Sequence, residues 1–145
     1  MLGTTLSPFS MAKNKHNKNV GSAIERSDDR INQTGEVFTP MELVYRMVDE
    51  IPEETMRNPE STFLDNSAGS GNFPAALLDR LVNKFGHDRQ HVLDNMLYVV
   101  EFMDDNHAEL CERLGVSVDH PHYVCADATT YDYNFGQPVG LEAFF

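Results

Sequence analysis

Hydrophobic and polar positions alternate along the chain in patterns that predict three strands and four helices. The central pattern is the run Thr62-Phe63-Leu64, which predicts a short buried strand and leads into a turn containing Gly69 and Gly71. Pro74 suits the first turn of the next helix, because its missing N–H would have no partner there. The apolar stripe of that helix, which Gly86 ends, comprises Ala75, Leu77, Leu78, Leu81, Val82 and Phe85.

A second unit of helix and strand follows this helix. A short polar helix around 88–95 leads into Met96-Leu97-Tyr98-Val99-Val100, a continuous apolar run that predicts a strand buried on both faces. This strand ends at Glu101-Phe102. In Rossmann-like nucleotide sites an acid at such a strand end accepts hydrogen bonds from ribose hydroxyls, although Glu101 could equally be an ordinary strand-end acid.

A third unit completes the pattern. Asp104 or Asp105 can cap its helix, which Gly115 closes. The run Tyr123-Val124-Cys125-Ala126 then predicts a strand that ends at Asp127-Ala128. Helices that alternate with apolar strands predict an α/β domain with a parallel sheet, and such sheets bind nucleotides at their carboxyl edge.

A separate helix is predicted before the central strand. Thr39 can cap this helix, with Pro40 at its first position and Glu42 completing a Thr-x-x-Glu capping box. Its apolar stripe, which Pro52 ends, comprises Leu43, Val44, Met47, Val48 and Ile51. Residues 52–61 are predicted to be a loop.

Charge is divided unevenly between a basic arm and an acidic domain. Residues 1–34 are polar, carry five Lys or Arg against three acids, and are predicted to be a flexible arm. Residues 35–145 form the domain and carry six basic residues against 20 acids. Because the net charge of −12 repels DNA phosphates, we expect any DNA contact to use the basic arm or a partner.

The sequence predicts neither a metal site nor a membrane segment. Cys111 and Cys125 lack a Cys-x-x-Cys spacing, and the histidines at positions 87, 91, 120 and 122 lack a third ligand at a recognisable spacing. The chain contains no apolar run long enough to cross a membrane and no secretory signal pattern. We therefore expect a soluble, cytoplasmic protein with reduced thiols.

Two stretches resemble motifs of DNA adenine-N6 methyltransferases, the S-adenosylmethionine-dependent enzymes of type I restriction-modification systems. Asp65-Asn66-Ser67-Ala68-Gly69-Ser70-Gly71-Asn72-Phe73 is similar to their cofactor loop, with Asn66 where the family usually has proline. Gly35-Glu36-Val37-Phe38-Thr39-Pro40 is similar to the motif that precedes this loop. The resemblance covers about residues 35–130 and implies a partial, three-layer Rossmann-like methyltransferase fold with strand order 3-2-1. A turn with two glycines also occurs as a packing turn that binds no ligand.

The resemblance also implies which residues bind S-adenosyl-L-methionine. Phe38-Thr39-Pro40 would lie against its methionine end, Glu101 would accept its ribose hydroxyls, and Phe102 would lie on its adenine. Asp127 would take the adenine amino group, although an exposed turn acid would look the same in the sequence. The implied cofactor-binding set is Phe38, Thr39, Pro40, Asp65, Ser67, Gly69, Gly71, Asn72, Phe73, Glu101, Phe102, Asp127 and Ala128.

One family element is missing from the sequence. Family members carry Asn/Asp-Pro-Pro-Tyr/Phe after the fourth strand, where it holds the target amino group and stacks on the flipped base. None of the seven prolines here is adjacent to another, so no catalytic residue is predicted. Without a fourth strand the edge of the first strand is open, and we expect a protein partner, a second copy or the segment Leu141–Phe145 to cover it.

Three functions remain open at this point. The first is the cofactor-binding segment of a DNA adenine-N6 methyltransferase, inactive until a partner supplies the missing element. The second is a non-catalytic binding or decoy protein that keeps the cofactor, or imitates a methyltransferase subunit, and interferes with DNA modification. The third is a domain that has lost ligand binding and serves assembly alone.

Overall fold

A three-stranded parallel sheet with flanking helices makes up residues 37–138, the part of the chain that this computed structural model describes. The predicted arm and the segment 141–145 lie outside the described residues. The elements are α1 (Met41–Asp49), α2 (Glu53–Arg57), β1 (Phe63–Asp65), α3 (Asn72–Asp79), α4 (Arg89–His91), β2 (Leu97–Glu101), α5 (Asp104–Leu114) and β3 (Tyr123–Cys125). Helices α3 and α4 continue as π-helical turns over Arg80–Lys84 and Val92–Met96.

The strands pair in the order β1-β2-β3, which confirms the predicted strand order. Both pairs are parallel, so a helical crossover separates each strand from the next. All three strands therefore end at the same edge of the sheet. The turns that follow Asp65, Glu101 and Cys125 meet at that edge.

The hydrophobic core lies on one face of the sheet. Leu97, Val99 and Tyr123 point to this face and are buried against the helices. The helices and their π-helical turns contribute Met41, Val44, Val48, Met56, Ala76, Leu77, Leu78, Leu81, Val92, Leu93, Met96, Leu110, Cys111 and Leu114 to this same core. Residues 37–138 thus form two layers instead of the expected three, because α3 and α5 pack on each other on one side of the sheet.

The opposite face of the sheet carries aromatic side chains. The ring of Phe135 stands edge-on to Tyr98 at 4.9 Å, and Tyr98 stacks on His122 at 4.1 Å. Val100 on this face is fully buried, which confirms that the central strand is covered on both faces. Leu64 on the neighbouring strand is 52% exposed, so the predicted burial of β1 is wrong. Burial of a short apolar run depends on what lies beside it, and β1 is an edge strand.

β1 and α1 leave apolar groups exposed along one side of the molecule. Within residues 37–138, β1 pairs only with β2. The helical layer runs α1-α3-α5, with α5 against β2 and β3, so α1 lies on the β1 side. Leu43 and Met47 on α1 are about half exposed, although their spacing predicts core positions. The unpaired backbone of β1 and the helix α1 therefore lie at the same end of the sheet, while Leu64 itself points to the face opposite the helices.

The start of α1 differs from the predicted cap. Pro40 is the N-cap residue and no side chain caps the helix, so the predicted capping box of Thr39 and Glu42 is wrong. The carbonyl oxygen of Thr39 instead accepts a hydrogen bond of 2.9 Å from the side chain of Asn72. The structure therefore has a tertiary hydrogen bond from Asn72 to Thr39, and it lacks the local capping box that the Thr-x-x-Glu pattern predicts.

Other boundaries also differ from the prediction. Met103 is the N-cap residue of α5, and Asp104 and Asp105 lie in the first turn, where acids favour the helix dipole. Residues 52–61, predicted as a loop, contain α2, whose Met56 is buried in the core. β2 begins one residue later than predicted. The helix ends predicted at the glycines 86 and 115 are confirmed, since both have a positive φ.

Replacing Leu81 by alanine tests the core. Leu81 is fully buried, so we expect Leu81→Ala to lower the free energy of unfolding by about 2–5 kcal/mol, through lost burial and the cavity left behind. Leu43→Ala is the matched control, because the same atoms leave a half-exposed position; it should cost less than about 1 kcal/mol. Urea unfolding followed by circular dichroism measures both. Equal losses would contradict this assignment of the core.

Candidate functional site

A cleft of about 470 Å³ opens at the edge where the three strands end. The segment before α1, the turn after β1 and the ends of β2 and β3 form its walls. The predicted residues that line it are Phe38, Thr39, Asp65, Ser67, Gly69, Phe73, Glu101, Phe102, Asp127 and Ala128. Five further lining residues were missed by sequence reasoning, namely Val37, Asn66, Ala68, Met103 and Asn106.

Two glycines in the turn after β1 occupy positions where a side chain would be strained and crowded. Gly69 has a φ of +57°, and a Cβ atom there would lie 3.1 Å from Cε1 of Phe38. Gly71 has a φ of +92°, and a Cβ atom there would lie 2.8 Å from Cβ of Leu110 on α5. Gly69 therefore lets Phe38 pack on the turn at the cleft. Gly71 lies behind the cleft and lets α3 approach α5.

The carboxylate of Glu101 joins the end of β2 to the turn after β1. Its Oε2 accepts a hydrogen bond of 2.7 Å from the backbone N–H of Gly69. Its Oε1 accepts the N–H of Met103 at 3.0 Å and the side-chain amide of Asn106 at 3.3 Å. Glu101 is buried, and these donors stabilise its charge there. A ligand hydroxyl that reaches Glu101 must therefore share or displace one of these protein donors.

Asp65 contributes a carboxylate that accepts fewer hydrogen bonds than that of Glu101. Its Oδ1 accepts the N–H of Ser67 at 3.1 Å. Its Oδ2 is buried and has no hydrogen-bond partner among residues 37–138. Burial raises the pKa of Asp65, and the nearby charge of Glu101 raises it further, against the lowering effect of the Ser67 hydrogen bond. A donor or a cation that entered the cleft would satisfy this oxygen.

Asp127 and Phe102 lie at the open side of the cleft. Oδ1 of Asp127 accepts the N–H of Thr129 at 2.9 Å and its hydroxyl at 2.7 Å. These hydrogen bonds lower the pKa of the exposed Asp127, which is therefore ionised at neutral pH. Phe102 is 65% exposed although its side chain is apolar. The cleft thus offers a carboxylate and an aromatic face to an incoming ligand.

Three predicted binding residues do not line the cleft. Pro40 begins α1, and Gly71 faces α5. Asn72 is buried at the start of α3, where its side chain donates to the carbonyl oxygen of Thr39. These residues act behind the cleft wall, where they hold the segment before α1 against the turn after β1.

A loop after β3 completes the rim of the cleft. The hydroxyl of Tyr133 donates to the carbonyl oxygen of Ala128 at 2.7 Å, and the side-chain amide of Asn66 donates to that hydroxyl at 3.5 Å. Tyr133 and Phe135 both have a positive φ, of 55° and 46°, which costs free energy for residues other than glycine. No local sequence signal marks these two conformations.

The histidines near β3 are engaged with one another and with Asp94. Nε2 of His120 lies 2.9 Å from Oδ1 of Asp94, and its Nδ1 accepts the N–H of His122, so both ring nitrogens are engaged. In residues 37–138 no group of three or more metal-ligating side chains occurs. Nor does any helix in that range have the length and apolar character needed to span a membrane.

Comparisons with known proteins found no match: no protein-family model, curated protein or solved structure is similar to this chain. The resemblance to the methyltransferase family therefore rests on sequence motifs alone. In three dimensions, the motif with Phe38 and the motif with Gly69 meet at the cleft. Phe38 from the first motif lies against Gly69 from the second, and both line it.

Asp65→Asn tests the unpaired carboxylate. Because the folded state raises the pKa of Asp65 above its ordinary value of 3.8, the folded protein binds this proton more tightly than the unfolded chain does. The wild-type protein should therefore lose stability relative to Asp65→Asn as the pH rises from about 4 to 7. Urea unfolding of the ligand-free protein at both pH values measures this difference.

Asp127→Asn is the control, because its effect on stability should change with pH in the opposite direction. Its hydrogen bonds lower the pKa in the folded state, so the carboxylate favours folding above pH 3.8 and this contribution is lost on acidification. The wild type should thus gain stability relative to Asp127→Asn as the pH rises to about 4, with little further change from pH 4 to 7. The same sign for both variants would contradict this description of the cleft.

Proposed function

We propose that this chain is the S-adenosylmethionine-binding segment of a DNA adenine-N6 methyltransferase. One observation carries the proposal: the acids Asp65, Glu101 and Asp127, at the ends of three adjacent parallel strands, line a single cleft. The cleft volume of about 470 Å³ lies within the range of cofactor sites. Its acidic walls suit a ligand that carries both a sulfonium and an ammonium group.

The lining residues suit different parts of that ligand. The unpartnered Oδ2 of Asp65 suits the ammonium group, and the exposed ring of Phe102 suits a purine face. Asp127 offers an ionised acceptor to an exocyclic amino group. Glu101 would accept ribose hydroxyls by sharing or exchanging the donors it already has. S-adenosylmethionine would supply the transferable methyl group, and these residues would hold it in place.

Methyl transfer to adenine requires groups that these 145 residues do not include. The sequence has no Asn/Asp-Pro-Pro-Tyr/Phe element to hold the target amino group and stack on a flipped base. We propose that another polypeptide segment supplies this element. DNA would then contact that segment or the basic residues 1–34, because the acidic domain repels phosphates.

The same segment would cover the open edge of β1. Leu64 is half exposed on β1, which pairs with β2 alone in the described residues, and Leu43 and Met47 are half exposed on α1 at the same end of the sheet. We expect the protein to associate through this edge, with a partner or with a second copy.

Leu64→Lys tests the edge. If copies associate through β1, light scattering should give more than one chain mass for the wild type and a single chain mass for Leu64→Lys, because a buried lysine would be unpaired. Val118→Lys is the control, since Val118 is exposed to a similar extent away from β1. A wild-type monomer whose Leu64 amide exchanges hydrogen as fast as a loop amide would contradict a covered edge.

The strong negative charge favours a second candidate. A net charge of −12 is unusual for a chain that approaches DNA, and it suits a decoy that binds the cofactor, or imitates a methyltransferase subunit, without catalysis. Methylation assays separate the two candidates. Methyl transfer to N6 of adenine, seen only when a polypeptide with the Pro-Pro element is added, supports the split enzyme; inhibition of an intact methyltransferase supports the decoy.

Calorimetry with S-adenosylmethionine tests the shared basis of both candidates. We expect binding that Phe102→Ala and Asp127→Ala each weaken about tenfold, since each removes about 1.4 kcal/mol of stacking or hydrogen bonding. Asp119→Ala is the control, because Asp119 is an exposed acid outside the cleft. Absence of both heat and thermal stabilisation in the wild type would leave assembly as the remaining function.

A further inference from the structure

Arg113 on α5 lies behind the cleft, where it contacts the turn after β1, the start of α3 and the start of α1. Its Nη1 donates to the carbonyl oxygen of Ser70 at 3.0 Å and to Oδ1 of Asn72 at 2.8 Å. Its Nη2 lies 3.9 Å from the sulfur of Met41 on α1. Sequence reasoning missed this residue, because a single arginine on an amphipathic helix carries no motif.

These contacts continue through Asn72 to the segment before α1. Asn72 accepts from Arg113 through Oδ1 and donates through Nδ2 to the carbonyl oxygen of Thr39 at 2.9 Å. Arg113, Asn72 and Thr39 therefore form one chain of hydrogen bonds. The chain joins α5, the start of α3 and the segment that carries Phe38.

The chain ends next to residues that line the cleft. Ser70 follows Gly69, whose N–H bonds to Glu101, and Thr39 follows Phe38, whose ring lies on Gly69. A shift of Arg113 would therefore change the distance between the Phe38 ring and the turn. By contrast, Phe102 and Asp127 belong to the ends of β2 and β3, and none of these hydrogen bonds reaches them. Glu101 bonds to Gly69, but its other oxygen accepts from Met103 and Asn106, which hold this carboxylate independently of Arg113.

Holding Arg113 in this place has a free-energy cost. The guanidinium is half-buried, and burial lowers its pKa, although Glu109 and Tyr45 act in the opposite direction. A buried cation needs several well-placed acceptors to offset its lost hydration. The carbonyl oxygen of Ser70 and the amide oxygen of Asn72 are such acceptors. Both hydrogen bonds leave the same nitrogen, Nη1, so the single ammonium group of a lysine could retain them in part.

We propose that Arg113 is a positioning residue that sets the spacing between the Phe38-Thr39 segment and the Gly69 turn. In doing so it controls affinity for the amino-acid end of S-adenosylmethionine, while leaving affinity for the nucleoside end nearly unchanged. This role rests on the proposed cofactor site. It assigns the specificity for that end of the ligand to a side chain that does not line the cleft.

Arg113→Met and Arg113→Lys test the role against Arg89→Met. Arg89 is the matched control, because its Nη2 donates to a backbone carbonyl, that of Leu114 at 2.7 Å, without contacting Ser70, Asn72 or Thr39. Calorimetry should show S-adenosylmethionine binding about tenfold weaker in Arg113→Met and less affected in Arg113→Lys. Adenosine binding should change less than about twofold in either variant. Arg89→Met should leave both affinities unchanged.

The ratio of the two affinities distinguishes positioning from general stabilisation. A variant that was merely less stable would lose affinity for adenosine and S-adenosylmethionine alike, and that result would overturn the proposal. Unchanged binding of both ligands would overturn it as well. If Arg113→Met does not fold, Asn72→Ala breaks the same chain one residue further on and should give the same selective loss.

A measurement without ligand keeps this proposal separate from the proposed function. In the ligand-free protein, hydrogen exchange of the peptide spanning 37–44 should be about tenfold faster in Arg113→Met than in wild type or Arg89→Met. If the wild type binds neither ligand, the proposed function fails, and this exchange result still decides whether Arg113 fixes the wall. Equal exchange in all three proteins would overturn that role.

Discussion

The hydrogen bond from the N–H of Gly69 to Glu101 holds the candidate site together. It joins the turn after β1 to the end of β2, and at 2.7 Å it is short and charge-assisted. The other oxygen of Glu101 accepts from Met103 and so also fixes the start of α5. One buried carboxylate therefore positions two adjoining walls of the cleft. Phe38 can pack on the turn only where this bond has placed Gly69.

The three acids at the strand ends are held in different electrostatic states. Glu101 is buried with several donors, Asp65 is partly buried with one unpartnered oxygen, and Asp127 is exposed and ionised. Burial and hydrogen bonding account for these differences without any change of residue type, since Asp65 and Asp127 have pKa shifts of opposite sign. The cleft therefore contains three different acceptors. Glu101 already accepts hydrogen bonds from the protein, Asp65 has an oxygen without a partner in residues 37–138, and Asp127 is open to solvent.

Periodicity and glycine placement predicted most of the elements, because these depend on local geometry, whereas the strand order was implied by the resemblance to the methyltransferase family. The same reasoning failed where a tertiary contact decides the outcome. The carbonyl oxygen of Thr39 accepts from Asn72 and its side chain does not cap α1, and Leu64 is exposed on an edge strand that pairs only with β2 within residues 37–138. Ten of the thirteen predicted binding residues line one cleft, but Arg113 and Tyr133 carry no local signal. Their contacts link positions more than 40 residues apart, as with Arg113 and Ser70, or depend on an unusual backbone conformation.

The exposed side of β1 has a thermodynamic consequence for the cleft. β1 runs directly into Asp65 and Asn66, so a chain that paired with β1 would also restrict the turn that lines the cleft. Ordering that turn beforehand would reduce the entropy that a ligand must remove on binding. By linkage, a ligand that ordered the turn would strengthen pairing at β1 by the same factor. Association at β1 and ligand binding in the cleft would then be thermodynamically coupled, so that a measurement of one would report on the other.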